Sequence, residues 1–293
     1  MNTPLIYAIV VTYNASKWID KCFGSLVNST VPVKILAIDN ASSDGTPDII
    51  RKKFPQVEVI ETGQNLGFGK ANNIGLKRVL EENADYAFLL NQDAWVEEDT
   101  IEKLVEVQHE NPEFGILSPL PYDGNGINED YLFSKYYKQQ INRKKEFSHK
   151  TYEINFINAA GWLIAKKVIL KFGGFHPSFR MHGEDVNYIN RIHFKEFQKI
   201  GISLGTKYFH DRQKRENDEY SLKKRIYALK SQIKVSMFNP NINSLRLLLS
   251  NTITYFISAI KPNNSTQINL YGFYFTILFF FKSISKKNTY IKL

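Results

Sequence analysis

The chain has 293 residues, which at roughly 150 residues per domain means two units, or one large α/β domain with an appendage. Hydrophobic residues make up 43% and charged residues 23%, which excludes a disordered chain. The single cysteine, Cys22, excludes intrachain disulfides and cysteine-rich zinc sites and fits a reducing compartment. Residues 1–5 hold no basic stretch ahead of an apolar core, so no signal peptide is expected. The net charge of +9 is unevenly placed: residues 1–219 carry 27 Lys+Arg against 29 Asp+Glu, whereas residues 220–293 carry 11 and none. A near-neutral body therefore precedes a basic, aromatic tail.

The first part of the chain alternates between two periods. Residues 5–11 form a continuous apolar run, the mark of a buried parallel strand. Trp18, Ile19, Cys22, Phe23, Leu26 and Val27 are then spaced for one helix face. A second strand is expected over 33–38. Thr46 and Pro47 read as the cap and first residue of a helix reaching about Phe54. A third strand over 57–60, a helix over 69–82 and a fourth strand over 86–90 follow. Glu97, Glu98 and Asp99 crowd the start of the next helix, where the dipole favours anions. This order predicts an α/β fold with a mostly parallel sheet and helices on both faces.

Such a sheet binds its ligand outside the carboxyl ends of its strands. Polar clusters stand at those ends: Thr12, Tyr13 and Asn14; Asp39 and Asn40; Asn65 to Gly69; and Asn91, Gln92 and Asp93. Residues 121–150 are polar and irregular, and read as a flexible insertion or lid. Order resumes with an apolar stretch, Gly173-Gly174-Phe175, a helix opening at Gly183-Glu184-Asp185 and reaching about Phe197, and a strand ending at His210. Three helical stretches lie beyond 220. The last apolar run, 268–281, has 14 residues and as a helix spans only ~21 Å, short of the ~30 Å hydrocarbon core. Its aromatic and basic residues suit a helix lying in a membrane interface. A bundle packed on the body or on a second subunit, making a homo-oligomer, is the alternative.

Val10-Val11-Thr12-Tyr13-Asn14, Ile38-Asp39-Asn40-Ala41-Ser42-Ser43-Asp44-Gly45-Thr46, Asn65-Leu66-Gly67-Phe68-Gly69 with Asn72 and Gly75, Leu90-Asn91-Gln92-Asp93, and Gly183-Glu184-Asp185 together resemble family 2 of the inverting glycosyltransferases. Asn-x-Asp and Asn-Leu-Gly-Phe-Gly are most similar to the rhamnosyltransferase-type branch. The resemblance spans about residues 5–211 and implies a GT-A catalytic domain over 1–215, with 216–293 as a helical tail. It also implies a nucleotide-diphosphate sugar donor, UDP- or dTDP-linked, and a glycan or lipid-linked acceptor. Asp39 would contact the nucleobase or ribose, with Thr12 and Asn14 lining the same pocket. Tyr13, Asn65, Gly67, Lys70, Asn91, Gln92 and Trp162 are further donor-site candidates.

The leaving diphosphate calls for a divalent cation, and hard oxygen ligands at a strand end suit Mg²⁺ or Mn²⁺. Asp93 is the candidate ligand, and His210 matches a position that supplies another in some relatives. Family members usually carry two acids one residue apart; here the first is Asn91. Asp185 is the candidate general base, with Glu184 orienting the acceptor.

Each residue has a plainer reading. Asp93 can cap the helix that follows, His210 can be an ordinary hydrogen-bonded histidine, Asp39 a turn former, and Trp162 a core residue. The 65–75 segment can be simple helix-start chemistry, and it matches neither a Walker motif nor a dinucleotide fingerprint. The paired acids can serve only the helix N-terminus. The rival whole-chain reading is a non-catalytic nucleotide-binding scaffold held at a membrane by its tail. No nucleic-acid-binding module is present in the sequence. The tail implies an anionic membrane surface as partner and a peripheral location on the cytoplasmic face of the cell membrane.

Overall fold

A computed structural model describes residues 3–141, 146–180, 182–195, 197–211, 222–260, 266–286 and 290–293. The chain runs β1 (Ile6–Thr12), α1 (Ile19–Val27), β2 (Lys34–Asp39), α2 (Thr46–Lys53), β3 (Glu58–Glu61), α3 (Phe68–Glu81), β4 (Tyr86–Asn91), β5 (Ala94–Val96), α4 (Thr100–Glu110), β6 (Phe114–Asp123), α5 (Tyr131–Gln140), β7 (Thr151–Ile154), β8 (Gly161–Ala165), α6 (Lys166–Phe172), α7 (Glu184–Phe194), β9 (Lys199–His210), α8 (Leu222–Met237), α9 (Ser244–Ile260) and α10 (Thr266–Lys286).

The strands form one mixed sheet in the order β3-β2-β1-β4-β8-β6-β9-β5, with β7 also on β9. β3, β2, β1 and β4 are mutually parallel. β8 turns antiparallel between β4 and β6, and β9 returns parallel to β6. The apolar runs predicted as buried strands are buried: Ile6, Ala8, Ile9 and Val10 of β1 have no exposed surface. α1 covers the sheet with Ile19, Cys22, Phe23 and Leu26, each large side chain contributing about 1.5–3 kcal/mol on burial.

Several local readings change. At α2 the cap position belongs to Gly45 and Thr46 is already helical. Asp44 supplies the capping oxygen, its Oδ1 accepting the Thr46 N–H at 3.1 Å and hydroxyl at 2.5 Å. Burial pushes that carboxyl up, yet the donors of Thr46 and Ser16 outweigh it and hold it down at about 2. Asp93 caps no helix, because β5 intervenes and Asp99 stands at the cap of α4. Residues 121–150, expected to be irregular, contain the end of β6, the helix α5 and a short turn of 3-10 helix at Ser148–Lys150; Arg143-Lys144-Lys145 lie outside the described residues. α7 ends at Phe194 rather than near Phe197.

The C-terminal helices pack on the body. Phe179 forms a second apolar cluster with Ile233, Met237 and Phe238 of the α8 end and Phe275 and Phe279 of α10. The chain end returns to the sheet domain: Ile291 donates its N–H to the Phe172 carbonyl at 2.9 Å and accepts that of Gly174 at 2.9 Å. Among the described residues no helix is long and apolar enough to cross a membrane.

Candidate active site

Parallel register brings the ends of β2, β1 and β4 side by side, with Thr12 opposite Asp39 and Val11 opposite Asn91. Asp39 is 1% exposed, and its Oδ1 accepts the Thr12 hydroxyl at 2.8 Å and the Ser42 hydroxyl at 2.5 Å, while Oδ2 accepts the Ser42 N–H at 2.8 Å. These bonds fix the turn after β2. Asn14, at φ 50, braces it by accepting the Ser43 N–H at 2.9 Å and donating its own N–H to the Ser42 hydroxyl at 2.9 Å. Gln92 clamps the end of β1 to the end of β4, since its Oε1 accepts the Tyr13 N–H at 2.6 Å and its Nε2 donates to the Tyr13 carbonyl at 3.2 Å.

Antiparallel pairing of β5 with β9 sets Ala94 opposite His210. Asp93 Oδ1 thereby lies 3.2 Å from His210 Nε2, and Asn91 Nδ2 lies 3.5 Å from the same nitrogen. One ring nitrogen cannot donate to Asp93 and accept from Asn91 at once. Asp93, His210 and the Asn91 amide, once turned over, would offer a cation a carboxylate oxygen, an imidazole nitrogen and a carbonyl oxygen. That donor set fits Mg²⁺ or Mn²⁺, which are commonly completed by substrate phosphates. Among the described residues no group of three or more His, Cys, Asp or Glu side chains could hold a metal, so the protein supplies only part of a coordination shell. Beneath it, the buried Cys22 thiol faces the Asn91 carbonyl at 3.7 Å. Burial, and then the charge of Asp93, push that thiol far above its ordinary range, so it is no nucleophile.

The paired acids open α7. Asp185 Oδ1 accepts the Val186 N–H at 2.8 Å and Oδ2 accepts Asn158 Nδ2 at 3.3 Å. Burial pushes this carboxyl up, opposed by the backbone N–H groups of Val186 and Ala159. Glu184 is 6% exposed, and its Oε2 is buried without a hydrogen-bond partner. Burial raises its carboxyl to about 7, with the neighbouring Asp185 charge adding to the rise.

A closed circuit of contacts joins these groups. Asn91 donates its N–H to the Ala160 carbonyl at 3.0 Å, next to the Asn158 that holds Asp185. A Cβ on Gly69 would lie 3.5 Å from that of Glu184, and one on Gly67 would collide with the Arg180 carbonyl. Leu66 donates its N–H to Asn40 Oδ1 at 3.2 Å, which returns the circuit to β2. Asp39, Asp93 with His210, and Glu184 with Asp185 are thus arranged around one end of the sheet.

Asn65, exposed, accepts the Gly67 N–H at 3.0 Å and shapes the entry to α3. Lys70 is exposed on the first turn of α3, and Tyr13 is 47% exposed beside Gln92. Trp162 is a correction: it has no exposed surface and packs its ring 6.4 Å from Phe175 and 6.3 Å from Tyr188. It is a core residue and cannot stack on a sugar. Asn158 and Arg180 were not legible beforehand, since nothing in sequence marks a lone Asn or Arg as a neighbour of residues far along the chain.

The sheet, its switch in strand direction and the acids at its carboxyl end define a GT-A glycosyltransferase. The pattern of glycosyl transferase family 2 matches residues 7–173, and the chain belongs to that family. The N-acetylglucosaminyl-diphospho-decaprenol L-rhamnosyltransferase of Mycobacterium tuberculosis is 24% identical over 219 residues, covering 65% of this chain and 71% of that protein. The putative glycosyltransferase EpsH of Bacillus subtilis is 25% identical over 145 residues, 48% of this chain and 41% of its own. Among solved structures, the mannosyltransferase PcManGT of Pyrobaculum calidifontis, in complex with GDP-Man and Mn²⁺, superimposes with a TM-score of 0.61 at 15% identity, covering 98% of this chain and 74% of that one. S. aureus TarS 1-349 with UDP gives 0.58 at 16% identity over 90% and 77%. The fold is shared with both.

Proposed function

We propose that the protein is an inverting glycosyltransferase that moves a sugar, rhamnose or another deoxy sugar or hexose, from a UDP- or dTDP-linked donor to a hydroxyl of a glycan or lipid-linked acceptor in the synthesis of a cell-surface polysaccharide. The observation that carries this reading is the circuit that gathers Asp39, Asp93 with His210, and Asp185 with Glu184 at one end of the sheet. The rhamnosyltransferase relative and the nucleotide-bound neighbours support it.

In this reading the remaining lone pairs of Asp39 accept a nucleobase N–H or a ribose hydroxyl. Asp93 and His210, with the Asn91 amide, would hold a divalent cation, which would supply Lewis-acid stabilisation of the leaving diphosphate. Asp185 takes the proton of the acceptor hydroxyl as that oxygen bonds to the anomeric carbon. The bond from this carbon to the diphosphate oxygen breaks, and its electron pair leaves with the diphosphate. Asn158 orients Asp185, and Glu184 steers the acceptor. Attack opposite the leaving group inverts the anomeric centre.

Thermal denaturation with a panel of nucleotide sugars, with and without Mn²⁺, tests the reading. A UDP- or dTDP-sugar is expected to raise Tm more with Mn²⁺ than without, and Asp93→Ala to abolish the difference. Activity unchanged by EDTA refutes the metal role. We further propose that the tail holds the protein on the inner face of the membrane, a location supported by the absence of any acid beyond Glu219.

A further inference from the structure

Residues 13–18 join β1 to α1, and this loop is tied on two sides. On one side it is bonded to the turn after β2: Ala15 donates its N–H to the Thr46 hydroxyl at 2.9 Å, and Ser16 donates its own to Asp44 Oδ2 at 3.0 Å. On the other side Trp18 donates its indole N–H to Asp211 Oδ2 at 2.8 Å, across 193 positions of sequence. Asp211 follows His210 at the end of β9, and its N–H donates to the Asp93 carbonyl at 2.8 Å.

Three links thus close a triangle around the candidate metal site. Gln92 holds Tyr13 to the end of β4. The Asp211 backbone holds Asp93 to the end of β9, with Asp93 Oδ1 3.2 Å from His210. Trp18 joins that strand end back to the loop after β1. The first two links run through residues already placed at the site. The third runs through a side chain whose only polar atom is a donor, set against a carboxylate, which makes the bond charge-assisted. Trp18 is fixed locally as well: its N–H donates to the Ala15 carbonyl at 2.9 Å, Cys22 donates to its carbonyl at 2.9 Å, and the Lys17 amine lies 3.9 Å over its ring. The turn after β6 confines Asp211, since a Cβ on Gly124 would lie 3.0 Å from its Cα and 3.2 Å from its Oδ1. Among the described residues no group of three His, Cys, Asp or Glu side chains could hold a metal, so Asp211 serves the geometry of the pair rather than adding a third ligand to it.

We propose that Trp18 and Asp211 are positioning residues: their bond holds the end of β9, and with it His210, in place against Asp93 and the loop after β1, so that nucleotide and divalent cation strengthen each other's binding. This rests on the donor and metal reading above and adds the means by which the two ligands are coupled.

The test is calorimetric and uses the full chain with UDP, dTDP and Mn²⁺ as probes. Each nucleotide is titrated with Mn²⁺ saturating and again in EDTA, and the ratio of the two affinities measures the coupling. Trp18→Phe keeps a ring and removes the donor. It is expected to lower the ratio about fivefold while affinity in EDTA stays within about twofold. Asp211→Ala is expected to do the same, and the double substitution no more than either alone. Asp211→Asn, whose amide oxygen still accepts the indole N–H, is expected to keep the native ratio. A ratio unchanged in Trp18→Phe overturns the proposal. Loss of coupling in Asp211→Ala alone also overturns it, because the carboxylate then acts on the cation without Trp18. Equal weakening with and without Mn²⁺ overturns it too, as the mark of a merely structural role. Native protein that binds neither nucleotide, or binds both equally in Mn²⁺ and in EDTA, refutes the donor and metal reading, and the proposal falls with it.

Discussion

Asp185 and Glu184 adjoin in sequence but meet different surroundings. Asp185 has both oxygens engaged, by the Val186 N–H and by Asn158. Glu184 keeps one buried oxygen without a partner. A base held in position suits Asp185, and Asp185→Asn is expected to lower single-turnover transfer by about 10²–10⁴ while leaving nucleotide affinity within a few-fold. Turnover close to that of the native protein removes Asp185 from its role. Glu184 gives a pH prediction. Its carboxyl rises from 4.5 to about 7 on folding, so ionising it is harder in the folded chain than in the unfolded one. The associated stability is fully present below the unfolded value and is lost as pH rises through about 7, with a ceiling of about 3 kcal/mol. Glu184→Gln cannot ionise, so its Tm should gain on that of the native protein between about pH 5 and about pH 8. A gap independent of pH over that window contradicts the assignment.

At the scale of elements, the site depends on how loops seat against one another. Gly67 stands at φ 81, and a Cβ there would collide with the Arg180 carbonyl. Gly67→Ala should therefore cost about 1–3 kcal/mol, read as a lower denaturant midpoint, and should also loosen the turn bearing Glu184. An unchanged midpoint argues against that close approach. The sequence made β1, β2 and β4 legible because buried parallel strands are continuous apolar runs whose polar ends stand out, whereas β3 is a short, part-exposed edge strand legible only from its place between two helices. β5 was missed because its three residues are a strand only through pairing with β9, more than a hundred positions later. Trp162 stood open between a sugar face and the core for a related reason: its surroundings are decided by Phe175 and Tyr188, which sequence does not place. The acids could be read from their motif, but Asn158, which holds Asp185, comes from another element and follows no local spacing.

For the whole molecule, the C-terminal region is tied to the body at both ends, by α8 on the acid-bearing turn and by Ile291 between Phe172 and Gly174. α9 is apolar on two sides. Leu247, Leu248 and Tyr255 pack inward on the second cluster, whereas Leu245, Leu249 and Ile253 are 56%, 57% and 57% exposed. Their four-residue spacing puts these three on one outward stripe. α10 adds exposed Leu270, Tyr274 and Phe281. The membrane interface proposed above would cover such a stripe, as a second subunit would, each exposed Leu or Ile contributing up to about 1.5–3 kcal/mol on full burial and, at an anionic surface, each nearby Lys or Arg about 1 kcal/mol. Replacing Leu245, Leu249 and Ile253 together by Glu should abolish flotation with phosphatidylglycerol vesicles. Because the three side chains face outward, unfolding free energy should move by no more than surface substitutions usually allow, about 0.5 kcal/mol each, with Tm close to that of the native protein, and UDP affinity should persist. Flotation that survives the triple substitution would mean that this stripe is not what holds the protein to the bilayer. Loss of flotation accompanied by a collapse of Tm would show the stripe to be part of the fold's own packing.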